Sequence, residues 1–276
     1  MVDYFLILIL AHLLTDFVFQ TDNLVENKQG TDIQKRNKAL LKHSLTFLAT
    51  SFLLFVTIKG ITLWPSFTFK PFSWLLLIFL WLIVITVTHY YIDLAKMKIK
   101  IKLKDCNNHK WDIFLFLFDQ IIHFGIISLM VFFFHKAEVI KNLSLLIEYL
   151  NTDLILSFKP THGQLILILL SIGIFVTSFS NIFIKISLTS IKMKIIEDKE
   201  ELKIGRFIGG AERILTAAGV IAGAYEAIAA LYAAKAAIRF KQAQSNDDFA
   251  EYFILGTSLS AIFGILTGLI LKILIG

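Results

Sequence analysis

Three pairs of His and Asp stand four residues apart inside long apolar runs: His12 with Asp16, His89 with Asp93, and Asp119 with His123. That spacing puts both members of a pair on one face of a helix. An ionisable side chain within a membrane span costs about 3 kcal/mol or more, so it faces a polar interior and marks function. Imidazole with carboxylate is the donor set of zinc, manganese or iron, whereas calcium and magnesium prefer oxygen alone. With His43 the pairs offer seven candidate ligands. One tetrahedral zinc takes about four, so the surplus must orient the ligands or hold a second ion. The same groups also suit an interhelical hydrogen bond or a proton relay.

The elements that must position these groups are membrane helices. Hydrophobic residues make up 57% of the chain, 26 residues are Phe, and the mean hydropathy is +0.73. Such a composition excludes an ordinary soluble domain. Cys106 is the only cysteine, which leaves neither a disulfide framework nor a thiolate cluster, so a metal must use His and carboxylate. The net charge of +6 reads as topology, because Lys and Arg decorate cytoplasmic loops, and no specific nucleic-acid binding is expected.

The expected fold is all-α, a polytopic membrane helix bundle of about seven apolar segments. These are Tyr4 to Phe19, Ala39 to Ile58, Phe72 to Asp93, Ile113 to Phe134, Gln164 to Ile186, Phe207 to Leu231 and Tyr252 to Leu274. The first lacks a basic leader and carries Asp16 and Gln20 where a cleavage site needs small residues, so it reads as a retained span. The sixth is Ala-rich and interrupted by Glu212, Arg213 and Glu226. It reads either as a crossing or as a re-entrant or cytoplasmic hairpin over Phe207 to Phe240. Residues 1–135 form an N-terminal four-helix unit carrying the His/Asp groups. An extracytoplasmic connection follows over 136–163, and 164–276 form a C-terminal unit with small-residue packing helices.

The first, third and fifth connections hold most of the Lys and Arg, including Lys28, Lys35, Arg36, the alternating series from Lys96 to Lys104, Lys192, Lys194 and Arg206. By the positive-inside rule these connections are cytoplasmic and the N-terminus is outside. The series from Lys96 to Lys104 reads as a solvated loop. The orientation places all seven candidate ligands at a similar depth, within about 5 to 18 Å of the inner helix ends at 1.5 Å per residue. One shared cluster is therefore geometrically allowed.

The run AHLLTDFVFQTDNLVENK, with His12, Asp16, Gln20, Asn27 and Lys28, resembles the signature of a bacterial integral-membrane family catalogued as domain-of-unknown-function family 3307. Lys42-His43, the THYYIDLAK segment with His89, Asp93 and Lys96, and DQIIH with Asp119, Gln120 and His123 match it too. In the C-terminal half GRFIGGAERIL, AKAAIRF and EYFILGTSLS look like a second block found in many relatives, at Gly205, Gly209, Glu212, Arg213, Lys235, Arg239, Glu251, Tyr252, Gly256, Thr257 and Ser260. The resemblance implies a multi-pass protein of the bacterial cytoplasmic (inner) membrane and strengthens the site without naming a reaction. A remoter likeness to membrane-bound metal-dependent hydrolases is analogy, resting on the His/Asp theme alone.

Gly256, Ser260, Gly264 and Gly268 recur at every fourth position, and such stripes let membrane helices approach closely within a chain or across a homo-oligomer.

The leading expectation is a metal-dependent membrane hydrolase at the cytoplasmic leaflet, using a divalent metal, zinc first and manganese or iron next. The metal ligands are drawn from His12, Asp16, His43, His89, Asp93, Asp119 and His123. Asp16, Asp93 or Asp119 serves as general base. Gln20, Lys28, Lys96, Gln120, Glu212 and Arg213 are the substrate-binding candidates, and basic neighbours beside lipid point to a lipid phosphoester. A metal-ion or proton transporter or channel is the second reading. An oligomeric membrane effector or structural protein with a polar packing cluster is the third.

Overall fold

The computed structural model describes residues 2–30, 32–63, 71–104, 110–139, 160–190 and 199–275, and among these the regular elements are all helical. Most of the connection expected over 136–163, together with Cys106, Lys192 and Lys194, lies outside the described residues. Five helical stretches are long and apolar enough to cross a membrane: Ile33–Ile58, Leu75–Leu103, Trp111–Phe134, His162–Thr189 and Asp247–Leu274. A sixth is available if Val2–Val18 and Asp22–Gln29, bent by 87° at their junction, form one span.

Two compact units divide the chain, Met1–Asp105 with Leu117–Ser171, and Cys106–Phe116 with Ile172–Gly276. In the first, helix α1 (Val2–Leu13) runs into a π-helical turn, Leu14–Val18, closed by the Phe19 amide donating to Leu14 O at 2.8 Å. Thr21 then caps α2 (Asp22–Gln29) by accepting from the Leu24 amide, and Asp32 caps α3 (Ile33–Leu63) by accepting from the Gln34 and Lys35 amides. Those donors, the Lys35 amide first, hold the Asp32 carboxyl below its ordinary range. Helices α4 (Pro71–Lys104) and α5 (Lys110–Val139) supply the remaining long elements of the unit.

The lysine series from Lys96 onward is thus the last part of α4 and not a loop. Charge alternation marks a strand or a solvated segment only when nothing extends the preceding helix, and here Met97 is buried and Lys96 is drawn inward. At the other end of the unit Tyr4, Phe55, Trp81 and Phe134, one from each of α1, α3, α4 and α5, meet ring to ring. Trp81 lies 4.5 Å from Phe134, and Tyr4 lies 5.4 Å from Phe55 and 5.8 Å from Phe134.

Helix α6 (His162–Ile174), which belongs to the first unit as far as Ser171, continues through another π-helical turn, Phe175–Phe179, into α7 (Ser180–Ser190) of the second unit. The apolar segment Phe207 to Leu231 is not one span. It is shared between α8 (Lys199–Ala222) and α9 (Tyr225–Ser245), which fold back on each other at Gly223. Gly223 has φ +70°, a conformation that favours glycine, and the Ala224 amide donates to Gly219 O at 2.8 Å. Pairing of Gly219 with Ile228, Thr216 with Tyr232 and Glu212 with Lys235 makes the hairpin antiparallel. Helix α10 (Asp247–Ile275) packs on α8 through the small-residue stripe. A Cβ on Gly264 would lie 2.8 Å from Thr216 Cβ, and one on Gly268 would lie 2.8 Å from Ala217 O, so the stripe is filled by α8 of the same chain.

Candidate metal centre

All seven expected ligands come together in the first unit. α1 with its π turn delivers His12 and Asp16, α3 delivers His43, α4 delivers His89 and Asp93, and α5 delivers Asp119 and His123. Burial is nearly complete, His43 being 1% exposed, while the side chain of Asp16 keeps 11%.

Second contacts fix the direction of several side chains. Lys96 Nζ donates to Asp119 Oδ2 at 2.6 Å, and Gln120 Nε2 donates to the same oxygen at 3.0 Å. Gln120 Oε1 is thereby turned to His12 Nε2, 3.2 Å away, and accepts its proton. That tautomer leaves the lone pair of His12 on Nδ1. The Nδ1 atoms of His89 and His123 lie 3.1 Å apart, one ring donating to the other, so the accepting neutral ring carries its proton on Nε2 and only the donating ring has its Nε2 lone pair free, while each turns Nε2 away from the other. Phe47 stacks on His89 at 4.9 Å with an interplanar angle of 10°, which holds that ring in plane. The right-angled bend after the first helix lays α2 against the cluster. Lys28, 7% exposed, reaches Asp93 Oδ2 at 2.9 Å and donates to Gln20 Oε1 at 3.0 Å.

What remains is a set of buried donor atoms without a hydrogen-bond partner: His12 Nδ1, Asp16 Oδ1, His43 Nε2, His89 Nε2, Asp93 Oδ2, Asp119 Oδ1 and His123 Nε2. Asp93 Oδ2 is in ion-pair reach of Lys28 and His43 but not in hydrogen-bonding orientation to them. Each of the seven candidate ligands contributes one such atom. Their neighbours are one another, in His–Asp ion pairs that a metal ion among them would draw together.

The spacing of these atoms fits a metal. Asp16 Oδ1 lies 3.2 Å from His43 Nε2 and 3.9 Å from His89 Nε2, His43 Nε2 lies 3.4 Å from Asp93 Oδ2, and His123 Nε2 lies 3.5 Å from Asp119 Oδ1 and from the other Asp93 oxygen, Oδ1. Ligands bonded at about 2.1 Å around a tetrahedral ion stand roughly 3.4 Å apart. Asp16 with His43 and His89, and Asp93 with Asp119 and His123, are two such groups, each with all ligand atoms within 4.8 Å of one another. His12 forms a third with His89 and His123, and its Nδ1 also lies 3.7 Å from Asp16 Oδ1.

Three carboxylates, Asp16, Asp93 and Asp119, stand against two ammonium groups, Lys28 and Lys96, an excess of one negative charge before the histidines are counted.

The other substrate-binding candidates, Glu212 and Arg213, have partners within the second unit. Arg213, 1% exposed, donates from Nε to Val176 O at 2.6 Å, from Nη2 to Thr177 O and Asn181 Oδ1, and from Nη1 to Ser260 Oγ. Glu212 pairs with Lys235. Sequence reasoning missed Phe47, the four-ring cluster of Tyr4, Phe55, Trp81 and Phe134, and Asn181. Only Asn181 carries a signal, as a lone amide within an apolar run.

No curated protein and no solved structure matches this chain. A family described as "Protein of unknown function (DUF3307)" matches residues 4–154, a stretch that contains every ligand candidate together with Gln20, Lys28, Lys96 and Gln120. That is more than half of the sequence, and the chain belongs to this family.

Proposed function

We propose that this protein is a metal-dependent hydrolase of the bacterial cytoplasmic membrane, working on a lipid phosphoester at the inner leaflet. The observation that carries the reading is the convergence of seven buried His and Asp side chains at metal-ligand spacing. Zinc suits the mixed nitrogen and oxygen set best, with manganese or iron as the alternatives.

When bound, the cation supplies Lewis-acid activation of water near neutral pH. His43 and His89 would hold it together with Asp16, the carboxylate whose oxygen groups with their nitrogens, and a carboxylate outside that group, Asp93 or Asp119, would take the proton from the attacking water. Lys96, whose side chain keeps 24% exposure, neutralises a phosphoryl oxygen at the mouth of the site, and Lys28 holds Asp93 in place.

The loop charges support an outside N-terminus. With α8 and α9 as a hairpin that returns to its starting side, six crossings place the C-terminus outside as well. Glu212, Lys235, Arg239 and Glu251 then all lie on the cytoplasmic side. The reading favours a one-sided site over a transport path, because Tyr4, Phe55, Trp81 and Phe134 fill the bundle beyond Phe47 with packed rings.

Elemental analysis of detergent-purified protein tests this, comparing wild type with Asp16→Asn and His89→Ala, after reconstitution with zinc, manganese and iron in turn. About one or two equivalents retained by wild type and lost by both variants is the expected result. Metal-loaded wild type, but not Asp16→Asn, should then release phosphate or headgroup from lipid vesicles. A protein that retains no metal after reconstitution would return the cluster to a proton relay or a packing network.

A further inference from the structure

The second unit contains a cavity of about 690 Å³ among α7, α8, α9 and α10. Its charged lining is one-sided. Lys185, Arg206, Arg213, Lys235 and Arg239 border it, against the single carboxylate Glu212, an excess of four positive charges. Its remaining walls are largely apolar, with Ile184 and Leu188 on α7 and Phe249 and Phe253 on α10. A cavity with cations along one part and hydrocarbon along the rest fits an amphiphile that carries an anion at one end.

Glycines make the room. Gly205, Gly209 and Gly256 all border the cavity, and a Cβ at Gly205 would meet nothing within 4 Å. A Cβ at Gly209 would stand 3.1 Å from Arg213 Nη1, so this glycine keeps the buried guanidinium open to the cavity. Four of the five Arg213 N–H groups are spent on Val176 O, Thr177 O, Asn181 Oδ1 and Ser260 Oγ. The remaining one, on Nη1, is the donor next to Gly209, and a phosphate oxygen is the acceptor that a fixed guanidinium favours. Lys235 lies beside Glu212 and 5.9 Å over the Phe253 ring, joining the charged part of the cavity to its apolar part.

We infer that this cavity binds one anionic diacyl phospholipid, its phosphate against Arg213 and Lys235 with Lys185 and Arg239 at the rim, and its acyl chains along α7 and α10. A soluble phosphate would gain nothing from the apolar walls, which is why a lipid is the assigned occupant. The assignment is independent of the metal centre, since none of its residues belongs to that cluster.

The test is native mass spectrometry of the full chain in mild detergent, offered equal amounts of phosphatidylglycerol and phosphatidylcholine with identical acyl chains. Wild type should retain one phosphatidylglycerol per chain in clear preference to phosphatidylcholine. The double variant Lys185→Ala/Arg239→Ala should weaken that binding roughly 25-fold, from about fivefold per cation removed. Both side chains are exposed and outside the core, and matched thermal unfolding curves will show the variant folded. Lys98→Ala, removing an exposed cation of α4, should leave retention unchanged. Equal retention of the two lipids, an equal loss in Lys98→Ala, or displacement of the lipid by millimolar glycerol phosphate would each overturn the proposal.

Discussion

Replacing Lys28 by Met should weaken the metal-free protein and tighten its hold on metal, two effects of opposite sign from one side chain. Lys28 is buried and lies 2.9 Å from Asp93 Oδ2. At an effective dielectric of about 20 that pair attracts by roughly 6 kcal/mol before desolvation is counted. Removing one partner of a buried pair leaves the other uncompensated, and the net cost is about 3–5 kcal/mol. The cluster's excess of negative charge, before the histidines are counted, then rises from one to two. A divalent cation bound to Asp93 would sit about 5 Å from where the ammonium had been, and it escapes a repulsion of roughly 6–7 kcal/mol at the same dielectric. If relaxation and water leave only a fifth of that, about 1.4 kcal/mol, metal binds about tenfold more tightly.

Thermal unfolding in detergent, with and without saturating zinc, measures the first effect, and competition against a zinc indicator measures the second. The variant should melt well below wild type when metal-free and recover most of the difference when loaded, because ligand binding adds stability in proportion to ln(1 + [L]/Kd). A Lys28→Met protein that no metal rescues would refute the reasoning. So would one that binds metal more weakly than wild type, since Lys28 would then support the site through shape and not through charge.

Three further substitutions address the frame. Gly268→Val should destabilise by about 1–3 kcal/mol by overpacking, because its Cβ would meet Val220 Cβ at 2.6 Å and the Ala217 backbone, whereas Gly125→Ala, with nothing within 4 Å, should be neutral in the same unfolding assay. Arg213→Lys should cost about 2 kcal/mol or more, since an ammonium cannot serve the Val176 and Thr177 carbonyls, Asn181 and Ser260 together; an unfolding midpoint equal to wild type would show those contacts to be incidental. Trp81→Ala should lower stability by roughly 3–5 kcal/mol while leaving metal content intact, as Trp81 packs on Phe134 and Tyr4 and touches no ligand. Loss of metal in that variant would mean that the ring cluster shapes the site.

That these seven His and Asp side chains converge was legible because few polar residue types occur in such apolar runs, and a spacing of four places both members of a pair on one helix face. Lys28 and Lys96 were legible as basic neighbours but not as partners. Lys96 reaches Asp119 only because α4 continues to Lys104, and Lys28 reaches Asp93 only because the chain bends by 87° after the first π turn. The hairpin of α8 and α9 was one of two readings, since hydropathy averages across Gly223 and cannot register one residue at φ +70°. The four-ring cluster carried no signal at all: with 26 Phe in the chain, no single aromatic stands out. Burial of the small-residue stripe against α8 was half visible, because such a stripe predicts close packing without saying which helix arrives.

Both units solve the same problem, holding charge where water is excluded, and both do it beside a π-helical turn. An extra residue in a turn shifts the following side chains around the helix and releases backbone carbonyls from the i to i−4 ladder. In the first unit the shift comes at Leu14–Val18, where it brings Asp16 of α1 within 3.2 Å of His43 of α3. In the second, Val176 O and Thr177 O of the turn at Phe175–Phe179 accept from the Arg213 guanidinium as well as from the Ser180 hydroxyl. The consequence separates the two sites chemically. Arg213 has its charge dispersed over fixed acceptors and keeps a single donor for an anion, whereas the His/Asp cluster gathers seven buried side chains at metal-ligand spacing and suits a cation. Straightening either turn should therefore act selectively. Deleting Phe17 moves Asp16 only if the turn is absorbed into an α-helix, and it should abolish metal retention while leaving phosphatidylglycerol binding intact. Loss of both together would show that the two units do not hold their ligands independently.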